Sequence, residues 1–112
     1  MNKRAVGSEK EQIAAEYLKD CGYEILECNY RCRIGEIDIV AKNGAYLVFV
    51  EVKYRKNLKM GSPLDAVNIA KQQKIRKVCQ WYLIEKRFND IPIRFDVVGI
   101  LGNEITLIQN AF

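Results

Sequence analysis

Histidine is absent from all 112 residues, and that absence closes several kinds of chemistry. Ser-His and Cys-His nucleophile pairs, H-E-x-x-H zinc sites and histidine-dependent nucleases all need the imidazole. No G-x-x-x-x-G-K-[ST] or G-x-G-x-x-G loop is present to cradle phosphates. Catalysis must therefore run on carboxylates, on lysines, or through a metal that prefers oxygen. The four cysteines (Cys21, Cys28, Cys32, Cys79) contain no C-x-x-C pair. Cys28 and Cys32 lack a second ligand pair, so buried free thiols in a reducing cytosol are expected rather than zinc. The N-terminal MNKRAVGSEKEQ carries basic residues with no apolar run behind them, and no stretch approaches the ~20 apolar residues of a membrane span. A cytoplasmic protein without membrane contact is the expectation.

What is present is ordinary globular material. The length predicts one domain over 1–112, with a core that needs no disulfide or metal. Eighteen Lys and Arg against fourteen Asp and Glu leave a formal charge of +4. This mild basic bias points toward nucleic acid without settling the partner.

Periodicity gives the element order. Ile13, Ala14, Tyr17, Leu18 and Cys21 recur at helical spacing, and Gly22 suits the helix end. YEILECNYR alternates as a strand from Tyr23 to about Tyr30, and a hairpin turning at Asn43-Gly44 follows. Ser62, Pro63 and Asp65 resemble the cap, first residue and capping-box partner of a long helix. Its inner stripe would run through Val67, Ile75, Val78, Cys79 and Tyr82. IRFDVVGI, a Gly102-Asn103 turn and EITLIQ supply two last strands. The predicted class is α/β, a mixed sheet flanked by helices, with a right-handed crossover between strands three and four.

The chemistry concentrates in residues 35–53, GEIDIVAKNGAYLVFVEVK. Glu36, Asp38, Glu51 and Lys53 interrupt strands otherwise built for a core. With Asn43-Gly44 as a two-residue loop, Glu36 opposes Glu51 and Asp38 opposes Phe49. A four-residue loop sets Asp38 opposite Glu51. Either register puts all four charges on one face, since only a one-residue slip reverses the faces. Carboxylates this close repel, and a divalent cation would relieve them. Oxygen-only ligands select Mg²⁺ or Mn²⁺. Asp38 and Glu51 would hold the metal for phosphodiester hydrolysis, with Lys53 orienting water or neutralising charge on phosphate. The competing reading is a solvated hairpin end whose Glu-Lys pairs contribute only ~0.2–1 kcal/mol each.

GSEKEQIAAEYL, CGYEIL, NYRCRIGEIDIVA, LVFVEVKYR, GSPLDAV, RFDVV and the closing NAF together resemble the YraN family of small bacterial proteins, across nearly the whole chain. That family is similar to the restriction-endonuclease-like superfamily, with an α-β-β-β-α-β core, and especially to archaeal Holliday junction resolvases. The resemblance implies that Asp38, Glu51 and Lys53 are catalytic, and that Glu11 is a further metal-site carboxylate beside Asp38 and Glu51. Many relatives carry glycine where this chain has Lys10.

Other residues have two readings each. Glu36 shares the site face as a supporting residue or simply pairs with Arg31, Arg33 or Arg55. Asp96 lines the site from the next strand or forms a surface pair with Arg94. Lys71, four residues from both Val67 and Ile75, contacts phosphate or extends its ammonium to water. Arg31, Arg33, Arg55 and Lys71 are the candidate nucleic-acid contacts, while Lys56 and Lys59 fit a solvated loop. Tyr30 and Tyr54 fit packing better than base stacking. The expected function is a Mg²⁺- or Mn²⁺-dependent DNA endonuclease for branched or structured DNA in repair or recombination. A homodimer would suit paired cuts. The alternative is a non-catalytic nucleic-acid-binding or partner-binding domain on the same scaffold.

Overall fold

A computed structural model describes residues 3–63 and 67–112, with side chains from Glu9 onward apart from Met60. Helix α1 (Lys3–Asp20) leads into β1 (Glu24–Arg31), β2 (Glu36–Asn43) and β3 (Tyr46–Arg55). A short 3₁₀ turn, Leu58–Met60, precedes α2 (Ile69–Glu85), which is followed by β4 (Ile93–Leu101) and β5 (Glu104–Ile108). The five strands form one sheet in sequence order. All pairs are antiparallel except β3 with β4, which run parallel across the α2 connection. This is the expected α/β mixed sheet, with the α-β-β-β-α-β order and one further strand.

Alternation along the strands builds two cores. Ile39, Ala41, Val48, Val50, Val98 and Ile100 pack against Ala14 and Leu18 of α1. The intervening Val40, Leu47, Phe49 and Phe95 pack against Ile75, Val78 and Tyr82 of α2. The helices therefore cover opposite faces. Phe49 meets Tyr82 edge-on at 5.5 Å, a favoured geometry for aromatic quadrupoles.

Helix ends follow local chemistry. Gly22, at φ +92°, ends α1. Tyr23 N–H bonds the Leu18 carbonyl and Gly22 N–H that of Lys19, the paired bonds of a Schellman motif. The start of α2 differs from expectation. Asn68, not Ser62, is its cap, accepting the Lys71 N–H at 2.9 Å. Asp65 lies outside the described residues. Val67 consequently precedes the helix, while Ile75, Val78, Cys79 and Tyr82 do form its buried stripe. The thiols also need correction. All four are free, but only Cys79 is buried; Cys21 and Cys28 are exposed and Cys32 is intermediate. Cys21 falls in the turn after α1, and Cys28 lies on the edge strand β1.

The hairpin turns one residue later than the sequence suggests. Asn43 pairs with Tyr46, leaving Gly44-Ala45 as the loop, with Gly44 at φ +60°. Glycine at the first loop position with positive φ is what a type II′ turn requires. The result is the register in which Asp38 stands opposite Glu51. Asn43 is drawn into the ladder because its side-chain oxygen accepts from Arg94 Nη2 at 2.8 Å.

Candidate active site

The β2–β3 ladder ends at Ile39–Val50. One step beyond, Asp38 Oδ2 accepts the Val52 N–H at 2.8 Å. A strand N–H lies in the sheet plane, so the carboxylate occupies the gap where the two strands part. Two-residue alternation breaks here: Ile37 packs under α2 whereas Ile39 packs under α1. Asp38 is therefore not a face residue in the way that Glu51 and Lys53 are. Those two follow Leu47 and Phe49 on the α2 side of β3.

Glu51 is 5% exposed and has two ammonium partners, Lys53 Nζ and Lys71 Nζ, each 3.4 Å from Oε1. Lys71 reaches it from the first turn of α2, where the Asn68 cap fixes its backbone. Burial nevertheless pushes the Glu51 carboxyl up to about 7, with repulsion from Asp38 adding to it and the two lysines opposing. Burial likewise raises Asp38 to about 6, against the Val52 hydrogen bond and with help from Glu11. Glu11, from α1, is raised by burial while side-chain bonds to Asn29 and Asp38 lower it. The three carboxylates thus form a string through the sheet, Glu11 beside Asp38 and Asp38 beside Glu51.

Glu11, Asp38, Glu51, Lys53 and Lys71 come together. Glu36 is exposed and pairs with Arg31 at 3.1 Å. Arg31 and Arg33 flank an open hollow of about 380 Å³ beside the β1–β2 loop. That loop approaches α2 closely, since a Cβ on Gly35 would lie 3.0 Å from Lys74 Cε. Arg55, at the end of β3, donates from Nη1 to the Tyr54 carbonyl, while its Nε is buried without a partner. Lys56 and Lys59 are exposed in the following loop. Tyr30 belongs to the core and donates to Glu85 at 2.7 Å. Lys10 holds its ammonium 4.2 Å from the Tyr54 ring centroid, and α1 already runs from Lys3. The departure from glycine at that position does not displace the helix start.

Asp96 is neither a site residue nor half of a surface pair. It is fully buried. Oδ1 accepts from Arg94 Nε and the Asn110 N–H, each at 2.9 Å, and Oδ2 from Tyr23 Oη at 2.6 Å and Arg94 Nη2 at 2.8 Å. It lies on the α1 side of β4 beside Val98, away from Glu51. Sequence reasoning gave no sign of the left-handed Asn29, at φ +56° within β1, because an asparagine within a strand gives no signal of its conformation.

Among the described residues no group of three or more His, Cys, Asp or Glu side chains is placed to hold a metal ion. The donor set nevertheless suits a hard cation. It consists of oxygens only, and Glu11 Oε2 is buried with no hydrogen-bond partner, an orphan that an ion would satisfy.

Comparison with known sequences places these residues in context. Residues 10–100 match the Uncharacterised protein family UPF0102. A UPF0102 protein of Lachnoclostridium phytofermentans is 54% identical, over all of this chain and 96% of its own length. One from Acetivibrio thermocellus is 49% identical over 99% of this chain and 93% of its own. Another, from Caldicellulosiruptor saccharolyticus, is 44% identical over the whole of both.

Proposed function

The chain belongs to the UPF0102 family, and from that membership and the site we propose that it is a Mg²⁺- or Mn²⁺-dependent DNA endonuclease acting on branched or structured DNA. The observation that carries this reading is the meeting of Asp38, Glu51 and Lys53 where β2 and β3 part, with the unpartnered Glu11 oxygen behind them. The resemblance to the restriction-endonuclease-like superfamily supports the same assignment.

Asp38, Glu51 and Glu11 would hold the metal. The chemistry such an ion supplies is neutralisation of phosphate charge and acidification of a water. Lys53 is 22% exposed, so its ammonium can leave Glu51 for a phosphate oxygen where charge develops. Lys71, 38% exposed, can turn outward in the same way to hold a neighbouring phosphate. Arg31, Arg33 and Arg55 extend the basic lining along which a backbone would run. Glu36 keeps Arg31 oriented at that rim.

The test is cleavage with Mn²⁺ of single-stranded, duplex, flap and four-way DNA, with an RNA strand beside them. The wild-type protein should cut at least one DNA substrate. Asp38→Ala and Lys53→Ala should stay folded and lose at least 100-fold in rate, on the order of 3 kcal/mol. Equal cleavage by purified Asp38→Ala would overturn the assignment.

One observation favours a second reading. Lys53 and Lys71 already neutralise Glu51 without a metal, as a non-catalytic nucleic-acid-binding or partner-binding domain would require. Salt-sensitive DNA binding that ignores both metal and Asp38→Ala would select it. Among the described residues no helix is long and apolar enough to cross a membrane.

A further inference from the structure

Helix α2 carries more than the lysine that reaches Glu51. Lys71, Lys74, Lys77 and Trp81 follow at intervals of three, three and four residues, the spacing of neighbours along one stripe of a helix. Two contacts fix the direction of that stripe. A Cβ on Gly35, in the β1–β2 loop, would lie 3.0 Å from Lys74 Cε. Tyr30 of β1 donates to Glu85 at 2.7 Å, one turn beyond Trp81. The stripe thus overlooks the β1–β2 side of the sheet, where Arg31 and Arg33 line the open hollow. It begins at the carboxylates, through the Lys71–Glu51 pair, and ends at the indole roughly 15 Å along the helix axis.

Trp81 is 46% exposed. Among the described residues it enters no aromatic pair, whereas Tyr82 beside it meets three rings. Single apolar side chains on a surface need no explanation, but this one closes a row of cations. Lys74 and Lys77 are exposed and have no carboxylate partner among the described residues. Glu85, the acidic residue of α2, is already taken by Tyr30 and by Lys86 at 3.8 Å. The stripe is therefore unneutralised positive charge ending in a flat aromatic face. A polyanion with flat faces of its own complements both features, and an acidic peptide only the first.

We propose that this stripe of α2 binds an unpaired DNA strand leading out of the cleavage site. Trp81 stacks on a base, while Lys74 and Lys77 hold the phosphates between it and Lys71. The inference rests on the endonuclease reading above and narrows its substrate to DNA with a single-stranded arm beside the cut. In a duplex each base is already stacked on its neighbours and offers the indole no free face.

Trp81 is the single tryptophan of the chain, so its fluorescence reports the contact directly: a base stacked on it quenches the emission. The full chain is titrated in EDTA, which prevents cleavage, with a single-stranded dT oligonucleotide and with a blunt duplex of equal length. The single strand should quench the indole and the duplex should not. By anisotropy of the labelled strand, Trp81→Ala should weaken Kd roughly 5–150-fold and Trp81→Phe by less. Lys77→Ala should lessen the salt slope for that strand by about 0.7. Failure of the single strand to bind or to quench, or equal affinity in Trp81→Ala, would overturn the proposal. Mn²⁺-dependent cleavage persisting in the same preparation would separate that failure from failure of the endonuclease reading. A second copy of the chain is the rival occupant, since Ile84 beside the indole is 77% exposed. A dimer in sedimentation that Trp81→Ala dissociates, with strand affinity unchanged, would likewise overturn the proposal.

Discussion

Glu51 shows how a charged residue can be costly to a fold and useful to it. With two ammoniums 3.4 Å away, its carboxyl is still raised to about 7, and that of Asp38 to about 6, each chiefly by burial. In the unfolded chain both ionise near pH 4. Between those values the native state holds more protons on these two groups than the unfolded one, so their contribution to stability is greatest below pH 4–5 and is lost as pH rises through 6–7. Without metal, the unfolding free energy from urea titration should fall between pH 5 and pH 8 by an amount on the order of 1–3 kcal/mol. Asp38→Asn should flatten part of that fall, and a midpoint rising over this range would contradict the assignment. Saturating Mn²⁺ should oppose the trend, since binding requires the deprotonated ligands. Asp96 presents the contrasting case of a buried carboxylate whose two oxygens are fully used. Asp96→Ala would strand Arg94, and equilibrium unfolding should register a loss of about 3–5 kcal/mol. The Arg94–Asp96 pair was legible from its i, i+2 spacing. Its burial was not, because the partners Tyr23 and Asn110 come from segments that only the fold brings near.

Elements were more legible than their ends. The strands and both helices followed from periodicity, since apolar spacing reflects which faces are buried. The start of α2 did not. Ser62, Pro63 and Asp65 look like a helix entrance, but Asn68 makes the capping bond six residues after Ser62. Its position also decides where Lys71 begins and hence whether that ammonium meets Glu51. Asn68→Ala should cost about 1 kcal/mol by urea unfolding, and Asn68→Asp should retain most of it. The hairpin illustrates the same limit. Asn43-Gly44 favours one turn and Arg94 another, and a partner 51 residues away prevails. The opposition of Asp38 and Glu51 was open in the sequence for that reason. The kink at Asp38 and the left-handed Asn29 were not foreseeable from alternation, which assumes regular strands.

At the scale of the molecule, the basic groups gather around one end of β3. Lys53 and Lys71 lie at the carboxylates, Arg31 at the end of β1, Arg33 on the adjoining loop, and Arg55 where β3 ends. If a nucleic-acid backbone follows this rim, the logarithm of affinity should fall linearly with the logarithm of salt. Lys71→Ala or Arg33→Ala should each lessen the slope by about 1. Fluorescence anisotropy at several salt concentrations measures this directly; an unchanged slope in both would remove them from the interface. The net charge of +4 could not have located the patch, because α2 must dock before Lys71 joins it.

The parallel pairing of β3 with β4 has a consequence in time. Residues 56–92 separate these two strands, whereas β2 and β3 meet across two loop residues. Short-range pairs close with less chain entropy than long-range ones. The hairpin can therefore bring Asp38 and Glu51 together while the segment bearing Lys71 is still unfolded. During refolding the acidic partners would meet ahead of their counter-charge, and a divalent ion present then would find them before the lysine does.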